Sequence, residues 1–464
     1  MVMIKYYYTK IGEIYSGFEF DEFNYPEYTI VIQASKLKEY QILPQSEKTL
    51  EKIAEYGWVL AKDSIAGTLD QKSFSPPYSQ REGLMKSSAF ERKYMFVFGA
   101  GASANCAYED AKEFYADNLR PPLGISLFEK RFKAYYDNYK GVRYSLPYLQ
   151  KPNFDVEDFF EKEWDEISKQ NNESVLSRHI NIQYYLREIL KDVSNHVIEQ
   201  HYEKNLYSIF FNKLQKIYNR SRKRTTYGET SSKNFSFVSF NQDTILEHFA
   251  YEIFKKEFKT MDDYISVNEG VFSLFKPHGS WNWGWQFPNT SILSNNMAEW
   301  LYDKNTNLFE IHFNLLGNHI DMVDWDMWGT SMQFSPHALG KYTINKSKLQ
   351  LIDKQNLNNY FPALLLPYLD KDEFVMPLTH FREMQQYIHG IETLVLIGWK
   401  GNEAAFNELL YQQANRLKKI IIVNPTPDIV KQNLTKLLSK FKIEPIIYDT
   451  FEDFVESGLD KEII

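Results

Sequence analysis

Tyr94-Met-Phe-Val-Phe98, followed at once by Gly99-Ala-Gly-Ala-Ser103, is the stretch on which the reading of this chain turns. A run of apolar residues without alternation fits a strand buried on both faces, as in a parallel sheet. Glycines at the end of such a strand let the backbone come close to a phosphate. Free N–H groups and the dipole at the start of a following helix favour an anion there, and Ala104 to Leu119 is compatible with that helix. The Ser103 hydroxyl would add one more donor. The turn departs from G-x-G-x-x-G, because Ala104 holds the third glycine position. No strand-like run ends in an acidic residue about 20 positions on, where a dehydrogenase would hold ribose, so hydride transfer is disfavoured. A purely structural strand-to-helix connection is the alternative.

Outward from this turn, strand-like runs recur at Phe235–Phe240, Phe272–Phe275, Thr393–Ile397, Lys419–Val423 and Ile443–Tyr448. Helical patterns lie at Thr244–Phe258, Asn402–Leu417 and Asp428–Lys440. Such alternation predicts an α/β fold with a Rossmann-like, doubly wound parallel sheet. Residues 120–230 read as mostly helical, and residues 281–360 as mixed and rich in Trp and Asn. Both are expected as large insertions over the ligand-binding edge. Residues 1–90 form a segment apart from the main domain, residues 91–464. Within it Glu27–Gln33 reads as a strand, Ser46–Val59 as a helix and Ser73–Ser79 as a linker. It is either a small extra domain for oligomerisation or partner docking, or a structural extension packed on the main domain.

Composition narrows the function classes. With 464 residues, 43% of them hydrophobic, the chain has ample core for two or three domains or one large domain with insertions. A net charge of −8 gives no bulk attraction to nucleic acid or anionic membrane. The basic stretch Arg220 to Arg224, with Lys213 and Lys216 before it, reads as a solvated loop, with a nucleic-acid contact as the alternative. A single cysteine, Cys106, excludes an intrachain disulfide and a four-cysteine zinc ribbon. No His/Cys/Asp cluster has metal-ligand spacing. The apolar runs are far short of a membrane span and no signal-type apolar region follows the N-terminus, so a soluble, cytoplasmic protein is expected.

Four further signals sit at strand ends, where an open α/β sheet binds ligands. Ser239-Phe-Asn-Gln-Asp243 places Asn241 and Asp243 beside a crevice, although Asp243 would serve equally as a helix cap. Lys276-Pro-His-Gly-Ser280 puts His278 at a sharp turn, with a structural histidine as the alternative. Trp281, Trp283 and Trp285 follow at strand period and read as ordinary packing rather than a pocket wall. Ile397-Gly398-Trp399 and Ile422-Val-Asn-Pro425 close the set, with Asn424 placed for a polar contact.

The succession of these signals resembles the sirtuin-like family, the silent-information-regulator fold that binds NAD and cleaves its nicotinamide–ribose bond. The resemblance spans about residues 94–450, and Asp155-Val-Glu-Asp-Phe159 looks like a segment frequent in bacterial members. It implies that Gly99, Ala100, Gly101 and Ser103 hold the pyrophosphate and neighbouring ribose. Asn241 would order the attacking water, Asp243 would contact the nicotinamide end, and His278 would act as base. Gly279 and Ser280 would complete the nucleotide contacts, and Gly398 and Asn424 would line the adenosine side. Trp399-Lys400-Gly-Asn402 departs from the Ser and acidic residues usual after that glycine.

Protein-deacylating sirtuins carry a zinc module held by four cysteines, which one cysteine cannot build. The family's glycine-isoleucine-proline stretch is also missing, since Ser103 leads into Ala104-Asn-Cys-Ala-Tyr108. With its insertions and extra segment the chain instead resembles the prokaryotic effectors that hydrolyse NAD to ADP-ribose and nicotinamide in antiphage defence. The implied function is a regulated NAD glycohydrolase with NAD as substrate and no metal. A homo-oligomer, a separate sensor protein, or both would control it. A non-hydrolytic NAD or ADP-ribose sensing module and a zinc-free deacylase are the alternatives.

Overall fold

The computed structural model describes residues 5–8, 16–18, 28–31, 59–61, 92–106, 120–136, 139–151, 156–170, 173–200, 205–225, 228–231, 234–265, 272–286, 320–323, 328–333, 341–345, 359–366 and 374–463. The chain divides into two compact units, Met1–Gly83 with Phe313–Asn318, and Leu84–His312 with His319–Ile464. In the first, β1 (Lys5–Tyr8), β2 (Ser16–Phe18), β3 (Tyr28–Val31) and β4 (Val59–Ala61) form a sheet of order β2-β3-β1-β4. β3 falls inside the strand expected at Glu27–Gln33, whereas the expected helix up to Val59 and the linker at Ser73–Ser79 lie outside the described residues, apart from Val59 itself, which is strand.

The second unit is built on β5 (Arg92–Phe98), β8 (Asn234–Ser239), β9 (Phe272–Phe275), β15 (Thr393–Ile397), β16 (Lys419–Val423) and β17 (Ile446–Tyr448). They lie in the order β17-β16-β15-β5-β8-β9, and every pair is parallel. Counted along the chain from β5, this is the Rossmann order 3-2-1-4-5-6. Side chains alternate between the two faces of each strand. One face carries Phe96, Phe98, Phe237 and Phe272 against Phe210 and Phe211 of α5 (Leu206–Ser221). The other carries Ser273 and Phe275 against Tyr387 of α7 (Leu378–Gly390). Helices on both faces explain why these strands read as unbroken apolar runs.

Further helices include α1 (Ala100–Ala104), α2 (Lys140–Leu149), α3 (Val156–Gln170), α4 (Glu173–Gln200), α6 (Ile245–Phe254), α8 (Ala404–Gln413), α9 (Pro427–Asn433) and α10 (Thr435–Phe441). Several boundaries differ from expectation. α1 starts at Ala100 rather than Ala104, with Gly99 as its N-cap, and residues 107–119 lie outside the described residues. α6 ends four residues early because Lys255 turns left-handed at φ 55° and its N–H closes on the Tyr251 carbonyl. The C-terminal pattern splits into α9 and α10 at Leu434.

The first insertion is helical, through α2 to α5. Its basic end is not a loop: α5 runs to Ser221 and continues into a hairpin of β6 (Arg222–Thr225) and β7 (Gly228–Ser231). Lys213 is used inside the fold, where its ammonium donates to the carbonyls of Val455 and Glu456 at 2.7 and 2.9 Å. The second insertion holds an antiparallel sheet of order β11-β10-β14-β13-β12. Its strands are β10 (Gly279–Gln286), β11 (Ile320–Met322), β12 (Trp328–Gln333), β13 (Lys341–Asn345) and β14 (Asn359–Leu364). β10 begins directly at the His278 turn. No helix among the described residues is long and apolar enough to cross a membrane.

Candidate active site

β5 and β15 are neighbours whose chain connections leave in opposite directions, so the crevice of this sheet opens above their C-terminal ends. The glycines there serve a close approach of two backbones. Gly99 N–H donates to the Ile397 carbonyl at 3.0 Å, and Gly101 N–H to the Gly398 carbonyl at 3.1 Å. A Cβ on Gly99 or Gly101 would meet the Gly398 carbonyl oxygen at 2.6 or 2.9 Å. Gly398 is left-handed at φ +60°, and a Cβ on it would lie 2.2 Å from Ala102 N. The N–H groups of Gly99 and Gly101, expected to face a phosphate, are therefore spent within the protein. Ala100, exposed at the first helical position, faces no such constraint.

Beside this turn lies a buried polar network. Asn241, 6% exposed, donates through Nδ2 to Ser103 Oγ at 2.9 Å. Ser103 Oγ lies 3.2 Å from the hydroxyl of Tyr207, and the Ser103 hydroxyl is among the groups that draw the Asp243 pKa down. Asp243 accepts the Ile245 N–H at 3.2 Å, so it caps the start of α6 and joins the network at once. Burial pushes its carboxyl above the usual range, an effect that the nearby Lys276 ammonium opposes. Asn241 Oδ1 is buried with no hydrogen-bond partner. A buried acceptor left unsatisfied costs about 1–3 kcal/mol, which is tolerable where a ligand or water is to supply the donor.

The next strand tip closes the site. Lys276, with its side chain fully buried, donates to the Asp243 carbonyl at 2.5 Å, to Glu247 Oε1 at 2.6 Å and to Ser280 Oγ at 2.8 Å. It thereby ties the β9 tip to the loop bearing Asn241. Gly279 is left-handed at φ +76°, with the Ala363 carbonyl where a Cβ would go, so only glycine lets the chain turn here. His278, 7% exposed, lies edge-on to Phe240 with ring centroids 4.8 Å apart. Gln242 Nε2 donates to the carbonyls of His278 and Leu365. The structure thus brings Ser103, Asn241, Asp243, His278, Gly279 and Ser280 to adjoining strand tips.

The β15 and β16 tips are occupied differently. Trp399 is buried, stacks on Phe240 at 5.5 Å and donates its indole N–H to Glu403. Asn424 donates to the Trp399 carbonyl at 3.1 Å and accepts from the Thr426 N–H and hydroxyl at 2.9 and 3.0 Å. Its amide thus clasps two loops, rather than reaching out as the adenosine contact expected of it. Trp281 donates to Thr244 Oγ1, and Trp283 is fully buried against Tyr264 and His380, which is the packing expected of them; the Trp285 side chain lies outside the described residues.

His380 carries a stability consequence. Burial lowers its pKa from 6.5 to about 3, while Nε2 contacts the Met261 carbonyl at 2.9 Å. Below pH 6.5 the unfolded chain takes up a proton that folded His380 refuses until about pH 3, so stability falls with acidification. From pH 7 to pH 5 the loss is about 2 kcal/mol. Asp243 and Glu247, whose pKa values are raised by burial, act in the opposite sense. Denaturant titrations of wild type and His380→Gln at both pH values isolate the histidine. The variant should lose about 2 kcal/mol less, and equal losses would refute the assignment.

Three polar residues of this site escaped the sequence reading. Glu247 stands four positions after Asp243, in the first turn of α6, and Lys276 heads the very motif that contains His278, so both had a local signal. Tyr207 had none, being 104 positions from Ser103 within a helical pattern.

No family model and no curated protein matches the chain. Solved structures do. The neighbours are sirtuins. One, from work on sirtuin substrate affinity, is 12% identical with a TM-score of 0.31, covering 83% of this chain and 100% of its own. A Sir2 homologue mutant in complex with ADP-ribose is 14% identical with a TM-score of 0.28, covering 78% and 98%. A Sir2 mutant with a p53 peptide and NAD is 11% identical with a TM-score of 0.30, covering 83% and 98%. The nucleotides and peptide in those structures belong to those proteins.

Proposed function

We propose that the chain is an NAD glycohydrolase, cleaving the nicotinamide–ribose bond to give ADP-ribose and nicotinamide. The observation that carries this reading is the unsatisfied, buried Oδ1 of Asn241, held beside the glycine turn and next to the strand tip bearing His278. Nicotinamide is already a cationic leaving group, so its departure needs no strong acid. The ribose that remains gains oxocarbenium character, which favours carbonyl and carboxylate dipoles nearby. Asn241 Oδ1 supplies such a dipole and accepts a hydrogen bond from the incoming water. His278 takes the proton, from the water or through a ribose hydroxyl. Asp243 belongs to the same buried network, beside Ser103 and Lys276.

An enzyme that consumes NAD must be held off during growth. We read it as a conditional effector of antiphage defence, with oligomerisation or a sensor protein as the trigger. The test is mass spectrometry of NAD, ADP-ribose and nicotinamide, first with purified protein and then in cells with and without phage challenge. Nicotinamide release without added peptide, lost in Asn241→Ala, supports the reading. Release only when an acyl-lysine peptide is supplied would make it a deacylase, and tight NAD binding without product would make it a sensor.

A further inference from the structure

Tyr207 is fully buried and its ring packs on Phe98 and Phe451 at 5.6 and 5.5 Å between centroids. It comes from the helical insertion, not from the parallel sheet, and its placement is specific. Asn205 Oδ1 accepts the Tyr207 N–H at 2.9 Å, Asn205 Nδ2 reaches Cys106 Sγ at 3.5 Å, and Leu206 N–H donates to the Cys106 carbonyl at 2.6 Å. These bonds fasten the start of α5 to the chain just beyond α1, within reach of Ser103.

We infer that Tyr207 is a positioning residue of this site: its hydroxyl fixes Ser103, and through Ser103 sets which face of the Asn241 amide is left for water. The inference rests on the glycohydrolase reading for its consequence in catalysis, but not for its geometry. The argument is a count of donors and acceptors. A serine hydroxyl has one proton and two lone pairs. Asn241 Nδ2 can only donate, so it takes one lone pair of the Ser103 oxygen. The Tyr207 hydroxyl, 3.2 Å away, holds a second position on the same oxygen. With Nδ2 committed, Oδ1 is the atom left unpartnered. Burial, reinforced by Asp243, pushes the phenol well above its usual pKa, so its proton is present across the working range. Without the phenol, one position on the Ser103 oxygen is free, its hydroxyl can rotate, and the Asn241 amide can turn over to present a donor where the water needs an acceptor.

Tyr207→Phe keeps the ring and removes only the hydroxyl. It should lower kcat for nicotinamide release about tenfold to a hundredfold, within the range of removing one preorganising donor, and leave KM within about twofold. A residue acting through Ser103 is also non-additive with it: Tyr207→Phe combined with Ser103→Ala should be no slower than Ser103→Ala alone. Unchanged kcat in the single variant, or additive losses in the double variant, would overturn the inference. A wild type that releases no nicotinamide counts against the glycohydrolase reading alone. In that case the crystal structure of Tyr207→Phe decides: an Asn241 side chain rotated off Ser103 sustains the positioning role, and an unchanged Ser103–Asn241 hydrogen bond refutes it.

Discussion

On the proposed glycohydrolase reading, nicotinamide release should fall by at least about a hundredfold in Asn241→Ala, while the unfolding midpoint should move by no more than a few degrees. The two effects part company because of how Asn241 is held. Its Nδ2 donates to Ser103 and also acts on the Tyr207 hydroxyl, and its Oδ1 is buried without a partner. Truncation therefore loses a bond worth about 1 kcal/mol but also removes an unsatisfied acceptor of similar cost. Nothing comparable offsets the loss of a dipole aimed at developing charge. Thermal unfolding and single-turnover product analysis on the same preparation separate the outcomes. A large fall in unfolding temperature that tracks the fall in rate would mean that Asn241 is structural.

Gly398→Ala is expected to destabilise the second unit by about 3–5 kcal/mol, combining backbone strain with overpacking. Its φ of +60° already disfavours a side chain, and the new Cβ would sit 2.2 Å from Ala102 N and 2.5 Å from the Gly101 carbonyl carbon. These are backbone atoms of the turn that follows β5, so relief requires the tips of β5 and β15 to separate. Gly401 is the internal control. It too is left-handed, at φ +77°, but a Cβ there meets only side chains, Asn433 at 3.2 Å and Leu434 at 3.9 Å. Gly401→Ala should cost about 1 kcal/mol, the strain alone. Urea titration measures both, and similar losses at the two positions would show that strain rather than the crossing of two backbones makes Gly398 necessary.

The strands of the main sheet were legible because burial on both faces removes alternation. Thr393–Ile397 and Phe272–Phe275 appear with the bounds that the apolar runs suggested. Helix ends were less so, since they depend on single residues in unusual conformations. A lysine at φ 55° ends α6, a position no periodicity marks. In the site, Asn241, Asp243 and His278 stood out because polar residues directly after apolar strands fall on the ligand-binding edge. Asn424 stood out for the same reason, yet its amide is consumed by Trp399 and Thr426. Position on an edge says where a side chain begins, not which partners reach it first.

What the sequence determined by itself is the set of parallel strands, the glycines at the turn after β5 and the polar residues at their tips, because each is written in a local pattern of burial or backbone freedom. The tertiary structure alone decided three things. It set the strand order that puts β15 beside β5, the use of Gly99 and Gly101 N–H groups on Gly398 and its neighbour, and the arrival of Tyr207 and Lys276 beneath Asn241 and Asp243. Those depend on which segments pack against one another, and hydrogen bonds between residues far apart along the chain, 104 positions for Ser103 and Tyr207, leave no trace in the spacing of either partner.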